Sequence, residues 1–163
     1  MHKRATELIQ NLELQPHIEG GWYREFFRSP TPHTVQTADQ RGVRSFLTVI
    51  YFLLDRAQLS RWHRVRSDEV WTHLEGGPLR LHEWDPSTRS PSSFVLGPVG
   101  PDTSAVHVVP SNHWQAAEPL GDYSLVSCAV APGFDFADFT MGSDDPSFTQ
   151  LVHSHAPSLS RLL

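Results

Sequence analysis

The residues with the most chemistry between them lie in one stretch, RWHRVRSDEVWTHLEGG, from Arg61 to Gly77. It holds two histidines, three acidic residues and two tryptophans. His63 is a group able to take or give a proton near neutral pH. Glu69, six residues on, can fix the tautomer of an imidazole or serve as a carboxylate ligand to a metal. Strand alternation puts Glu69, Trp71, His73 and Glu75 on one face and Val70, Thr72 and Leu74 on the other. If the first face looks inward, Trp71 is an apolar wall between two polar groups and His73 lines a pocket. The same face could instead lie between two chains, where aromatic residues are also enriched.

Further candidates lie elsewhere. Arg24 follows the Gly20-Gly21 bend, where a guanidinium could bind a carboxylate or phosphate. Tyr51 sits in an apolar run, so its hydroxyl needs a partner, either a ligand that it protonates or a backbone carbonyl. Phe134, Phe136 and Phe139 read as core. Cys128 lies in an apolar strand and reads as inert. No P-loop, dinucleotide-binding glycine pattern or serine nucleophile elbow is present.

The elements that must position these residues are mostly strands. Ala5, Leu8, Ile9 and Leu12 recur at helical spacing and predict a short helix over residues 3–13, closed by Pro16. WYREFFRS reads as a strand after the Gly-Gly bend. SFLTVIYFLL (Ser45–Leu54) has the near-continuous apolar character of a strand buried on both faces. DEVWTHLE and LRLHEWD both alternate and are joined through Gly76-Gly77-Pro78, which predicts a hairpin. FVLGP, AVHVVP, SNHWQAAE and YSLVSCAVA supply further strands. DDPSFTQLVHSH predicts a short C-terminal helix with Asp145 as its cap and Pro146 at its first position. Many short strands with Gly and Pro turns predict an all-β sandwich or barrel, and a jelly roll encloses a pocket between its sheets.

The bulk properties narrow the function classes. The chain has 163 residues, enough for one domain with a hydrophobic core; the core is placed at about 8–140 and a tail at about 141–163. Hydrophobic residues make up 39% and the formal net charge is −5, which argues against nucleic acid as a partner. Lys3 is the only lysine, so arginine supplies nearly all the positive charge, a hint of an anionic small-molecule ligand. Cys128 is the only cysteine and no apolar run is long enough to span a membrane, so a cytoplasmic protein is expected.

The order of motifs resembles the cupin superfamily. His63, Glu69 and Gly76 fit the frame of its first motif, and Pro110 starts a match to its second. More specifically, IEGGWYREFFRS, TVIYFLL, WHRVRSDEVWTHLEGGPLRLH, VVPSNHWQAA and CAVAPGFDFADF resemble, in order, the cupin 5 (DUF985) family. That resemblance implies a double-stranded β-helix and a homodimer, to which the sequence pattern adds a short helix at each end. In the metal-binding cupin frame, Val65 and Gln115 stand where two histidines would fall. Two of the four ligand positions, His63 and Glu69, keep their donors. The resemblance therefore implies no conventional metal centre; a divalent ion, if bound, would use His63 and Glu69 with help from a neighbour such as His73 or His82. Gln115 is expected to look into the barrel and bind a ligand, with Trp114 turned away.

Three functions stay open at this point. SRWHRV resembles the strand that carries the basic histidine in the jelly-roll epimerases of nucleotide-activated 4-keto sugars. That favours a metal-independent isomerase or epimerase acting on a sugar or keto acid, with His63 as acid or base, Glu69 beside it and Tyr51 as proton donor. The alternatives are a metal-dependent enzyme built on His63 and Glu69, and a non-catalytic binder or sensor whose pocket is lined by Trp71, His73, Gln115 and Arg24.

Overall fold

The computed structural model describes residues 1–31 and 33–163. Helix α1 (Lys3–Asn11) opens the chain, and β1 (Gln15–Pro16) and β2 (Trp22–Arg28) follow. A small two-stranded flap, β3 (Thr34–Gln36) and β4 (Val43–Ser45), leads into β5 (Thr48–Asp55). Then come β6 (Ser60–Val65), β7 (Asp68–Gly76), β8 (Leu79–Trp84) and β9 (Ser92–Leu96). The last strands are β10 (Val106–Val109), β11 (Trp114–Pro119), β12 (Tyr123–Ala131) and β13 (Phe139–Met141), before helix α2 (Pro146–His155).

Two antiparallel sheets face each other. One has the order β1-β2-β5-β12-β7-β10 and the other β13-β6-β11-β8-β9. Side chains alternate along each strand, so each sheet has an inner and an outer face. The inner faces meet in a core of Phe52, Leu54, Trp71, Leu79, Leu81, Leu96, Val109 and Val126. On the outside of the first sheet, α1 lays Ala5 and Leu8 against Leu53 and Leu125. The apolar run of β5 is thus buried on both faces, with Phe52 and Leu54 inside and Leu53 under the helix.

Helix α2 covers the outside of the second sheet. Asp145 caps it by accepting from the Ser147 and Phe148 backbone N–H groups, and Pro146 occupies the first turn. Phe148 sits over Trp114 at a ring-centroid distance of 4.0 Å, with Trp62 and Trp84 at 5.5 and 5.7 Å. Trp114 points away from the barrel interior, and the Arg64 guanidinium lies 4.5 Å above its ring. Among the described residues, no helix is long and apolar enough to cross a membrane.

The expected hairpin between DEVWTHLE and LRLHEWD does not form. β7 pairs with β12 and β10, whereas β8 pairs with β11 and β9. Gly76 has φ +93°, and a Cβ there would lie 2.5 Å from the Tyr123 carbonyl oxygen. The Gly-Gly corner therefore packs on the neighbouring strand and carries the chain from one sheet to the other. A second departure lies in β7 itself. The register to β12 shifts between Leu125 and Val126, so Glu75 faces outward against expectation. It accepts from Arg4 and from the Tyr123 hydroxyl beneath α1.

Candidate active site

Between the sheets lies a cavity of about 530 Å³, within the usual size of a small-molecule site. His63, Glu69 and Trp71 all line it. β6 supplies His63 and Val65 from one sheet, while β7 supplies Glu69 and Trp71 from the other. Tyr23 and Phe52 add aromatic wall from β2 and β5. Phe134, Phe136 and Phe139 add more from the segment after β12, and these three correct the reading of that segment as core. They fall in a loop and a short edge strand, where neither sheet buries them fully; Phe136 is 54% exposed.

Two polar residues that the sequence reading passed over organise the site. Glu19 is fully buried and lies between two imidazoles. Its Oε2 is 3.3 Å from His63 Nε2 and 3.3 Å from His17 Nδ1, and its Oε1 accepts from Ser60 Oγ at 2.8 Å. Gly20 makes this placement possible. It has φ +112°, and a Cβ there would meet the Leu59 carbonyl oxygen at 2.1 Å. Only glycine lets the turn lie so close to the chain entering β6. The Arg61 N–H then donates to the Glu19 carbonyl and locks the turn in place. The signal for Glu19 was present in IEGGW, whose paired glycines demand an unusual backbone beside a carboxylate.

The hydrogen bonds assign protons. His63 Nδ1 lies 2.8 Å from the Arg61 carbonyl, which can only accept, so Nδ1 carries hydrogen. The Nε2–Glu19 contact then needs a proton between the two atoms. His17 Nδ1 is 3.4 Å from the Glu19 N–H and 3.3 Å from the carboxylate. With hydrogen on Nδ1 this atom donates to the carboxylate in a charge-assisted bond, in place of accepting from the Glu19 N–H. Among the described residues nothing hydrogen-bonds His17 Nε2, and His17 lines the cavity.

The two buried carboxylates are pushed in opposite directions. Burial alone raises the pKa of Glu19, but the His63 charge and the hydrogen bonds from His17 and Ser60 outweigh it and hold the pKa below the ordinary value. For Glu69 burial wins over the His63 charge and the hydrogen bonds from Gln115 and Cys128, so its pKa is raised. Burial also pushes the Cys128 thiol well up, in keeping with an inert cysteine.

Several expected site residues lie elsewhere. Gln115 is 1% exposed and does not line the cavity. Its Oε1 accepts from Trp71 Nε1 at 2.9 Å and its Nε2 donates to Glu69 Oε2 at 2.6 Å, so it positions the wall and the acid. Tyr51 faces outward, stacked on Phe26 at 4.3 Å, because alternation along β5 sends Ile50 and Phe52 inward. His73 lies outside the cavity, with Nε2 3.2 Å from the Gly77 carbonyl, two alternations further along β7 than Glu69. His82 faces outward between Ser93 and Glu118. Arg24 reaches the rim, but its guanidinium is held by Glu13 and the Leu12 carbonyl.

A metal fits this donor set poorly. Val65 has no donor atom, and both polar atoms of Gln115 are engaged with Trp71 and Glu69. Neither His73 nor His82 reaches the cavity. Among the described residues, no group of three or more His, Cys, Asp or Glu side chains is arranged to hold a metal ion.

Comparison with known proteins agrees with the architecture. The sequence model of the family described as "Cupin superfamily (DUF985)" matches residues 6–142. A hypothetical protein of Leishmania major is 30% identical, with 97% of this chain and 95% of that chain covered and a TM-score of 0.80. A Shewanella oneidensis protein is 29% identical, with coverages of 97% and 93% and a TM-score of 0.78. A dTDP sugar isomerase from Desulfovibrio desulfuricans is similar in fold, at 15% identity, coverages of 79% and 85%, and a TM-score of 0.53. No curated protein matches the chain in sequence.

Proposed function

Because this chain belongs to the DUF985 family of the cupin superfamily, we propose that it is a metal-independent isomerase or epimerase that moves a proton next to a carbonyl. The observation that carries this reading is the linked set His17–Glu19–His63 facing the same cavity as Glu69. Environments that push neighbouring titratable groups apart separate an acid from a base. Glu69, whose pKa burial raises, is the acid. His17 is the base, acting through Nε2, with Glu19 beside Nδ1 to stabilise the imidazolium that forms. His63 supplies the compensating charge that keeps Glu19 ionised, and is a second proton source.

In the first step His17 Nε2 takes the proton from the carbon beside the carbonyl while Glu69 protonates the carbonyl oxygen, giving an enediol or enol. For the isomer, His17 gives its proton to the former carbonyl carbon while the Glu69 carboxylate takes the hydroxyl proton on the adjacent carbon, which forms the new carbonyl and restores both groups. For the epimer, Glu69 takes back the enol proton, His63 protonates the original carbon on the opposite face, and His17 and His63 exchange their protons with solvent. Gln115 donates to Glu69 Oε2, which directs the acid proton to Oε1. A dTDP sugar isomerase shares this fold.

The test is solvent exchange. Ring and open-chain hydroxyketones are incubated with the protein in D₂O, and loss of the α-proton signal is followed by NMR. Exchange with the wild-type protein, abolished in His17→Asn and Glu69→Gln and strongly reduced in His63→Asn, is expected. Exchange that survives in His17→Asn removes the base from this scheme, and absence of exchange from every hydroxyketone with wild-type protein rejects it.

A further inference from the structure

We propose that the cavity selects an uncharged ring-shaped carbonyl compound and that Glu25 enforces the choice by occupying Arg28. The carbonyl rests on the proton-transfer reading above; the selection by charge rests on how the polar groups of the cavity are spent.

Two arginines reach the cavity and both are engaged. Arg28 donates from Nε and Nη2 to the two oxygens of Glu25 at 2.8 and 2.7 Å, and from Nη1 and Nη2 to the Phe134 carbonyl at 3.2 and 3.1 Å. Arg24 is turned to Glu13 at 2.9 Å. An entering phosphate or carboxylate thus finds Arg28 occupied and Arg24 held at the rim through Nη1 by Glu13 and the Leu12 carbonyl, and it meets Glu25 and Asp135 at the cavity wall. Negative groups are spent as well. Glu19 accepts from Ser60 and faces His17 and His63. Asp135 accepts from the Ala137 N–H at 2.9 Å and caps the Phe136–Asp138 turn. Glu69 sits against Gln115. An organic cation therefore finds no unpaired carboxylate in the depth of the site.

What remains free is apolar ring surface and the proton-handling groups. Phe134, Phe136 and Phe139 form a triangle with centroids 5.1 to 6.2 Å apart. Trp71 and Phe52, from the same sheet, meet edge to face at 5.9 Å. Such walls take a ligand by its flat or CH-rich face and add no charge preference of their own.

The test uses three matched probes: cyclohexanone, cyclohexanecarboxylate and cyclohexylammonium. Binding is read from the Trp71 indole N–H resonance, assigned by its disappearance in Trp71→Phe. The ketone is expected to bind at least about tenfold more tightly than either charged probe. Glu25→Gln frees Arg28 and is expected to raise carboxylate affinity about fivefold or more relative to that of the ketone. The inference is overturned if a charged probe matches the ketone, if the ketone does not shift the resonance, or if Glu25→Gln leaves carboxylate binding unchanged relative to that of the ketone. These outcomes are separate from the fate of the mechanism. Selective ketone binding without α-proton exchange sinks the enzyme reading alone, and exchange confined to charged carbonyl compounds sinks the selection alone.

Discussion

Gln115→Met tests the architecture of the site most directly. Met keeps the length and nearly the volume of Gln, so the cavity cost of a shortened side chain is avoided. What is lost is the acceptor 2.9 Å from Trp71 Nε1 and the donor 2.6 Å from Glu69 Oε2. Both abandoned groups are buried, and each such orphan costs about 1–3 kcal/mol, or about 2–6 kcal/mol together. For a chain of this length each kcal/mol lowers the melting temperature by about 2–4 °C. The same substitution removes a hydrogen bond that lowers the Glu69 pKa, so the carboxyl moves further up. A carboxyl whose folded pKa is raised gives stability that is complete below the unfolded pKa and is lost as pH rises through the folded pKa. The variant should therefore show the larger loss together with a pH-dependent decline displaced to higher pH. Urea unfolding at steps from about pH 4 to about pH 8 reads both effects. An unchanged midpoint with an unchanged m-value would refute the assignment of Gln115 as the partner of Trp71 and Glu69.

Three further predictions concern the two buried carboxylates and the C-terminal cover. Glu69→Gln should abolish the decline in stability toward neutral pH, because Gln carries no titrating proton. Glu19→Gln should act on the other limb: the lowered pKa of Glu19 gives stability that is present above the unfolded carboxylate pKa and lost as pH falls through the folded one. The variant lacks that acid-side loss, and unfolding free energies across the pH range distinguish the pair. Phe148→Ala removes the ring packed on Trp114, Trp62 and Trp84 and should cost about 3–5 kcal/mol. Hydrogen exchange should locate the loosened amides in α2, and uniform protection would contradict its docking through Phe148.

The amino-acid pattern by itself determined the local elements and the family. Alternation marked most strands, helical spacing marked α1, and Asp145-Pro146 marked the start of α2. These signals are local, because a cap, a turn or a period is written in residues close together in the chain. The motif order pointed to the cupin fold and singled out His63, Glu69 and Trp71, which share one cavity. Tertiary structure decided everything that depends on distant partners. Alternation divides a strand into two faces without saying which is inside, so Tyr51 fell outside while Phe52 fell within. A Gly-Gly corner reads alike whether the next strand turns back or crosses to the other sheet, and packing against Tyr123 decided for the crossing. One bulge in the β7–β12 pairing reversed the face of Glu75. His17 and Glu19 reach His63 only when the glycine turn folds against β6, more than forty residues away in the chain. The protons of the site are shared across that contact, and a one-dimensional period cannot encode a contact made by closing a loop.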